Sequence, residues 1–150
     1  RLLTIGNIKG LPGKCYESLL EAMERTKNNK NLTLVLALNY SARQEILEAA
    51  KKLTELAQKQ ELDVTQVKEE DFAQLLQTKD IPDPELLIRT SGECRISNFL
   101  LWQAAYAEYY FSDALWPDFG HAHLQAALDE FALRQRRFGR TSEQIEALHA

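Results

Sequence analysis

Several features that would assign a function at once are missing from this 150-residue sequence. It has only two cysteines, Cys15 and Cys94, whose wide separation excludes metal-ligand spacing and favours free thiols in a reducing compartment. No apolar stretch is long enough to cross a bilayer and no signal peptide is visible, so the default location is the cytoplasm. A Walker loop, a G-x-G-x-x-G pattern and a nucleophile elbow are also lacking, which removes the commonest signals of nucleotide binding and acyl transfer.

Positive charge is scarce as well. The 18 Lys and Arg residues are outnumbered by 22 Asp and Glu, which gives a formal charge of −4 and a pI of about 5.4. This balance argues against a general nucleic-acid binder, so any functional cation must act through its position. With 45% hydrophobic and 27% charged residues, the composition is that of an ordinary soluble globular protein, and the length fits a single domain.

The apolar pattern predicts strands that alternate with helices. Predicted strands cover residues 2–5, 32–38, 86–88 and, more briefly, 109–111. Predicted helices cover residues 14–26, 41–60, 64–77, 98–108 and 121–137; Ser41 is a candidate N-cap of the second, and Gly139 a C-terminal cap of the last. Such alternation indicates an α/β fold with a mainly parallel sheet flanked by helices.

The beginning of the chain is unusual, because Arg1 leads directly into the apolar strand at residues 2–5. A parallel sheet must be covered on both faces, and only three or four strands are predicted here. We therefore expect this chain to be a portion of a longer protein, with the amino-terminal part of its domain missing.

The most informative stretch is residues 89–99, here called the arginine segment. It starts at Arg89, where a buried strand ends, continues through a glycine loop with Arg95 and Ser97, and leads into the predicted helix at residue 98. A loop between a strand end and a helix start favours anions, and two guanidiniums with a hydroxyl suit a phosphate or a diphosphate. The alternative is two surface arginines and an N-cap serine. Arg89 needs an anionic partner, and Glu93 is one candidate for it; alternatively, Glu93 orients one arginine and leaves the other for a ligand.

Glu108 is a carboxylate at the end of the very apolar predicted helix 98–108. It is either a ligand for a hard cation such as Mg²⁺, or it reaches water or pairs with an arginine. On an unbroken helix it would lie about 15 Å from the anion loop, so it could reach a ligand there only by chain folding or from a second subunit.

Three further groups of residues are weaker candidates for a functional site. Residues 39–43 (NYSAR) follow a predicted strand and open a helix, where Asn and Ser are common caps; as a second strand-end loop they would line the same crevice. His121 and His123 are near each other without other metal-binding residues and are interpreted as surface residues at a helix start. The basic tail is either a solvated end or a cover for a phosphate of a neighbouring subunit; it contains Arg134, Arg136, Arg137 and Arg140.

These residues together resemble the carboxyl-terminal signature of cis-prenyltransferases, in particular bacterial undecaprenyl diphosphate synthase. The matching stretches are residues 88–93 (IRTSGE), 95–103 (RISNFLLWQ), 106–108 (YAE) and 115–119 (LWPDF). An upstream block of the same family is similar to Asn39-Tyr40, Arg43 and Glu45-Ile46. The resemblance runs in order over essentially the whole chain, and its long motif is very specific.

The resemblance implies a prenyl transferase that adds isopentenyl diphosphate in cis to an allylic diphosphate such as farnesyl diphosphate. The product would be a membrane-associated polyprenyl (undecaprenyl) diphosphate that carries cell-wall precursors. Arg89, Arg95 and Ser97, with Ile96 between them, would bind the isopentenyl diphosphate, and Glu108 would help to bind Mg²⁺. Arg137-Phe138-Gly139 resembles a tail motif that reaches the active site of the partner in a homodimer, which implies substrate-binding roles for Arg137 and Gly139.

The chain also departs from the family pattern. Cys94 replaces a common histidine or glutamine, and Ser41-Ala42 replaces a usual glycine pair. The family's aspartate in a glycine-rich loop, which binds the allylic diphosphate and Mg²⁺, is absent, so this chain contains none of the expected catalytic residues. We therefore expect residues 1–150 to be the carboxyl-terminal portion of one domain, inactive alone. The alternative is a non-catalytic subunit, or an inactive fragment, of a prenyltransferase complex.

Overall fold

The computed structural model describes residues 1–134. The strands are β1 (Leu2–Ile5), β2 (Leu34–Ala37), β3 (Leu86–Arg89) and β4 (Glu108–Phe111). The helices are α1 (Cys15–Thr26), α2 (Ala42–Gln58), α3 (Glu69–Ala73) and α4 (His121–Leu133), with 3-10 turns at Ile8–Gly10, Val64–Gln66 and Trp116–Asp118. Arg137, Gly139 and the predicted end of the last helix lie outside the described residues.

The chain divides into two compact units. The first contains Arg1–Pro82 and Ser97–Trp102, and the second contains Asp83–Ile96 and the described residues from Gln103 onward. Each unit has one parallel pair of strands, β1 with β2 in the first and β3 with β4 in the second. The α/β prediction with parallel strands flanked by helices is therefore confirmed. The strands form two separate two-stranded ladders rather than one ladder, and the single-domain interpretation stays a prediction.

In the first unit, β1 and β2 align residue for residue, with Leu2 opposite Leu34 and Ile5 opposite Ala37. Helix α1 is joined to β1 by the Leu2 N–H, which donates to Thr26 Oγ1 at 2.9 Å. The buried apolar residues of this unit are Ile5, Ala42, Ala49 and Leu76, of which the two alanines on α2 are the most completely buried.

Helix α2 follows the sequence-based expectation in detail. Its apolar positions recur at helical spacing, and Ser41 is its N-cap, with Ser41 Oγ accepting a hydrogen bond from the Gln44 N–H at 3.3 Å. This places the start of α2 five residues after the end of β2 and fixes the loop between them, which contains Asn39 and Tyr40.

The predicted helix at residues 64–77 is wrong. Asp63 Oδ1 accepts from the Thr65 N–H at 2.9 Å and so caps a 3-10 turn, and Val67 after it is extended with ψ 129°. The chain restarts as the short α3, where Asp71 Oδ2 accepts from the Lys68 N–H at 2.9 Å. Local side-chain caps therefore divide this acidic stretch into two short pieces.

The predicted helix at residues 98–108 is also wrong. Ser97, Asn98 and Leu100 have φ values of 51°, 60° and 48°, in the left-handed region that a right-handed helix cannot use. The chain runs through turns as far as residue 106 and then enters β4, so Glu108 is the first residue of a strand.

In the second unit, β3 and β4 pair over four residues, from Leu86 opposite Glu108 to Arg89 opposite Phe111. Helix α4 contacts β4 and is connected to it through the 3-10 turn at Trp116–Asp118. No helix within residues 1–134 is both long and apolar enough to cross a membrane.

Candidate functional site

Arg89 is the last residue of β3, as the sequence predicts, and its side chain is half-buried. The loop that follows is fixed by backbone hydrogen bonds to the stretch after β4. The Ser91 N–H donates to the Ala114 oxygen at 2.8 Å, and the Gly92 N–H donates to the Ser112 oxygen at 2.9 Å. These two N–H groups are therefore used within the protein, and side chains are the other donors that the loop offers to an anion.

The two arginines of the arginine segment, Arg89 and Arg95, have different electrostatic surroundings. Arg95 is 66% exposed and forms a salt bridge with Glu93. Among residues 1–134, no carboxylate is paired with Arg89. Glu93 therefore pairs with Arg95, so the possibility that it is the anionic partner of Arg89 is wrong. A guanidinium at a strand end without a carboxylate partner is available for another anion.

The end of the arginine segment belongs to the first unit. Ser97 is exposed there, and no helix begins at this point, so a helix dipole adds nothing to an anion site at Ser97. Ile96 is half-buried and is the last residue of the arginine segment that belongs to the second unit. The prediction that these residues bind substrate with Arg89 and Arg95 stays a prediction.

The strand-end loop at residues 39–43 leads to a buried carboxylate that the sequence analysis named only as part of a matching block. Glu45 is 3% exposed; its Oε2 accepts from the Tyr40 hydroxyl at 2.6 Å and its Oε1 from the Gln77 N–H at 2.9 Å. Gln77 Oε1 in turn accepts from the Gly6 N–H at 2.6 Å. This chain of hydrogen bonds connects the loops that follow β1 and β2.

The burial of Tyr40 changes its acidity. Desolvation, followed by the hydrogen bond to Glu45, raises the pKa of Tyr40 well above its ordinary value of 10.0. The phenol therefore remains a proton donor to the buried carboxylate at any ordinary pH. Because β2 pairs with β1, and β3 pairs with β4, the Tyr40 loop and the arginine segment follow strands of different ladders.

Glu108 lies at the amino-terminal end of β4, opposite Leu86, whereas Arg89 lies three residues along β3, about 10 Å further at 3.3 Å per residue. Glu108 Oε2 accepts from Arg134 at 2.9 Å, so the arginine-pair alternative describes this structure. Within residues 1–134 there is no group of three or more His, Cys, Asp or Glu able to hold a metal ion. The described residues therefore do not by themselves fit a Mg²⁺ site.

The remaining candidates have structural explanations. His123 Nδ1 accepts from the Gly120 N–H at 3.2 Å and the imidazole stacks on Phe119, so it stabilises the start of α4. Cys15 and Cys94 are free, as predicted, and both are exposed. Neither Gln77 nor Asn98 is assigned a role from the sequence. Asn98 is expected there to start a helix and to form part of a matching stretch, although asparagine tolerates the left-handed conformation that it adopts.

Comparison with known proteins supplies a family. The model of a family described as putative undecaprenyl diphosphate synthase matches residues 1–139. An isoprenyl transferase of Clostridium tetani is 48% identical over 136 residues, which cover 91% of this chain and 53% of that protein. A ditrans,polycis-undecaprenyl-diphosphate synthase of Micrococcus luteus, described as (2E,6E)-farnesyl-diphosphate specific, is 47% identical over 91% of this chain and 55% of its own length.

Solved structures that resemble this chain are also of prenyl diphosphate synthases. Lavandulyl diphosphate synthase from Lavandula x intermedia, in complex with dimethylallyl diphosphate, matches with a TM-score of 0.89 at 37% identity, covering 93% of this chain and 60% of that one. A probable undecaprenyl diphosphate synthase of Campylobacter jejuni matches with a TM-score of 0.79, also at 37% identity, covering 93% and 63%. This chain thus spans only a little more than half the length of its relatives.

Proposed function

This chain belongs to the undecaprenyl diphosphate synthase family, and from that premise we propose that it is part of a cis-prenyltransferase. The complete enzyme adds isopentenyl diphosphate to an allylic diphosphate and releases a longer polyprenyl diphosphate. Farnesyl diphosphate is the proposed allylic substrate, since the Micrococcus luteus relative is described as specific for it. The product proposed is undecaprenyl diphosphate.

Within that enzyme, the arginine segment binds the diphosphate of isopentenyl diphosphate. The observation that carries this assignment is Arg89, a half-buried residue at a strand end whose guanidinium has no carboxylate partner among residues 1–134. A diphosphate supplies the missing anion and can accept paired hydrogen bonds from the planar guanidinium. Arg95, Ile96 and Ser97 complete the segment's contacts, with Glu93 orienting Arg95.

The arginine segment binds and orients the substrate that keeps its diphosphate group during the reaction. Prenyl transfer requires the allylic diphosphate to leave, which needs neutralisation of its charge, whereas the diphosphate of isopentenyl diphosphate only has to be held in place. Arginine and serine side chains suit that holding role. The groups that promote ionisation would come from the part of the relatives' length that this chain does not cover.

Mg²⁺ is proposed as the cofactor of the complete enzyme, supplying charge neutralisation at a diphosphate. Glu108 is the candidate oxygen ligand from this chain. Because Glu108 is paired with Arg134, and no metal cluster exists within residues 1–134, any such site needs ligands beyond the described residues.

A homodimer is proposed as the assembly. It is supported by apolar side chains that stay exposed on one side of α4 and at the end of β4: Leu124, Leu128 and Phe111. The tail motif at Arg137 and Gly139 would then complete the active site of the partner subunit. Mixing Arg137→Ala with Arg95→Ala protein tests this, because mixed dimers would contain one intact site and recover activity. A mixture as inactive as both parents, after verified subunit exchange, would refute action across the interface.

The experiment for the function itself compares two purified samples, the complete protein and residues 1–150 alone. Each is incubated with Mg²⁺, farnesyl diphosphate and radiolabelled isopentenyl diphosphate, and the products are separated by chain length. We expect long polyprenyl diphosphates from the complete protein and none from residues 1–150. Absence of product from the complete protein would favour a non-catalytic subunit of a prenyltransferase complex.

A further inference from the structure

The Asn98 side chain and backbone together close the amino terminus of α2. Asn98 lies in the left-handed region at φ 60°, which asparagine tolerates better than most residues. In this conformation its carbonyl oxygen accepts from the Ala42 N–H at 3.1 Å, and its Oδ1 accepts from the Arg43 N–H at 2.9 Å. The third contact is Nδ2, which donates to Ser41 Oγ at 2.9 Å.

Through these contacts and the Ser41 cap, the first backbone N–H groups of α2 all have hydrogen-bond acceptors. The N–H groups of Ala42 and Arg43 bond to Asn98, and that of Gln44 bonds to Ser41 Oγ. The first N–H groups of a helix have no partner within the helix, and they otherwise attract water or an anion. The amino terminus of this 17-residue helix is therefore occupied by a residue from a segment more than fifty positions along the chain.

The residues on either side of Asn98 are restrained together with it. Phe99 packs edge-to-face on Tyr40, with ring centroids 6.0 Å apart and planes at 82°. Ser97, immediately before Asn98, is exposed and has φ 51°. The backbone that carries the Ser97 hydroxyl is thus held on one side by three hydrogen bonds and an aromatic contact within the first unit.

We propose that Asn98 is a positioning residue for isopentenyl diphosphate binding, acting through Ser97. It clamps the end of the arginine segment to the first turn of α2, so the serine hydroxyl is presented in one orientation before substrate arrives. The inference rests on the proposed function, in which Ser97 contacts the diphosphate. Preordering of this kind lowers the cost of binding, because the segment does not have to be ordered by the ligand.

The test uses Asn98→Gly in the complete protein, since glycine accepts φ 60° and only the side-chain contacts are removed. Gln60→Gly is the matched control, because Gln60 lies just beyond α2 with φ 58° and an exposed side chain. We expect Asn98→Gly to raise the KM for isopentenyl diphosphate about three- to tenfold, as for loss of an ordinary hydrogen bond. The KM of Asn98→Gly for farnesyl diphosphate should change less than about twofold, which is less than the loss of an ordinary hydrogen bond produces. Gln60→Gly should change either KM by no more than this.

The double variant Ser97→Ala/Asn98→Gly separates positioning from a general loss of structure. If Asn98 acts through Ser97, the double variant has the same KM for isopentenyl diphosphate as Ser97→Ala alone. The proposal is overturned if the effects of the two single substitutions on the KM for isopentenyl diphosphate multiply in the double variant. It is also overturned if Asn98→Gly changes the KM values for both substrates equally, or changes neither. Should Asn98→Gly fail to fold, Ser41→Ala removes the partner of Asn98 Nδ2 and should raise the same KM in the same direction.

The proposed function fails by a different pattern of results. If Arg89→Ala, Arg95→Ala and Ser97→Ala all leave the KM for isopentenyl diphosphate unchanged, the binding assignment is wrong and the role of Asn98 is wrong with it. If those three variants raise the KM while Asn98→Gly does not, the binding assignment stands and only the positioning role is refuted.

Discussion

Arg134 donates hydrogen bonds to Glu108 Oε2 at 2.9 Å and to the Tyr109 carbonyl oxygen at 2.8 Å. The contact joins the residue that follows α4 to the first residues of β4, and a second salt bridge connects Arg134 to Glu130. The Arg134 and Glu108 side chains are each somewhat under a third exposed, so the pair is partly shielded from solvent. A cation that binds Glu108 must therefore compete with a guanidinium already in place.

Substitutions of this pair should shift the Mg²⁺ requirement of the complete enzyme in opposite directions. Arg134→Gln removes the competing cation, so the Mg²⁺ concentration for half-maximal activity should fall roughly two- to fivefold, in line with a partly exposed ion pair. Glu108→Gln should raise it and lower turnover, because an amide lacks the charge that a hard cation requires. Direct Mn²⁺ binding, followed by electron paramagnetic resonance, gives a readout that is independent of turnover.

The exposed pair of Glu24 and Lys27 on α1 offers the control for these metal measurements. Glu24→Gln should leave both the half-saturating Mg²⁺ concentration and Mn²⁺ binding unchanged. If Glu108→Gln and Arg134→Gln behave like Glu24→Gln, Glu108 is a structural partner of Arg134 and has no role with metal.

The hydrogen bond from Tyr40 to the buried Glu45 should make stability depend on alkaline pH. The pKa of Tyr40 is raised in the folded protein, so above about pH 10 only the unfolded chain loses this proton. The contribution of Tyr40 is therefore complete below pH 10 and declines as the pH rises further. Tyr40→Phe should lower the unfolding free energy by about 1.5–3 kcal/mol at pH 8, the range for hydrogen bonds to charged groups.

Urea unfolding at pH 8 and at pH 11 measures this effect. The difference in unfolding free energy between the natural sequence and Tyr40→Phe should narrow at the higher pH. Tyr16→Phe on α1 controls for the general loss of a tyrosine hydroxyl. A difference that is the same at both pH values would show that the Tyr40 proton is not linked to folding.

Gly6 should tolerate no side chain. It has φ 100°, and a Cβ there would lie 2.2 Å from the Leu38 carbonyl oxygen, which is backbone and cannot move aside easily. Gly6→Ala should lower the unfolding free energy by about 2 kcal/mol or more through strain and overlap. Gly120→Ala is the control, since a Cβ at Gly120 meets nothing within 4 Å. Equal unfolding midpoints in urea for the two variants would contradict this description of the loop after β1.

The elements with strong local signals could be predicted from sequence. Apolar runs placed all four strands, and the Ser41 cap with its following apolar spacing placed α2 almost to the residue. The error at residues 64–77 comes from local caps by Asp63 and Asp71, whereas the error at residues 98–108 comes from long-range contacts. The stretch at residues 98–106 has the composition of a buried helix, but Asn98 bonds to the start of α2 and adopts a left-handed backbone, which periodicity cannot reveal.

In the candidate site, the position of Arg89 could be predicted from the sequence, but the ion pairs around it could not. Arg89 at a strand end and the loop at Gly92 are local features that sequence makes visible. The choice of Glu93 for Arg95, and of Glu108 for Arg134, depends on side-chain geometry that no spacing rule determines. The buried contact of Gln77 with Glu45 joins residues 32 positions apart and left no pattern in the sequence.

The central claim is that Arg89 and Arg95 bind the diphosphate of isopentenyl diphosphate. Its most direct test is the pair of KM values, for isopentenyl and farnesyl diphosphate, in the complete protein carrying Arg89→Ala or Arg95→Ala. A charge-assisted contact is worth roughly 1.5–3 kcal/mol, so the KM for isopentenyl diphosphate should rise about ten- to a hundredfold. The larger rise is expected for Arg89, which has no carboxylate partner within residues 1–134, while the KM for farnesyl diphosphate stays nearly constant. Equal rises in both KM values, or a rise for farnesyl diphosphate alone, would contradict the assignment.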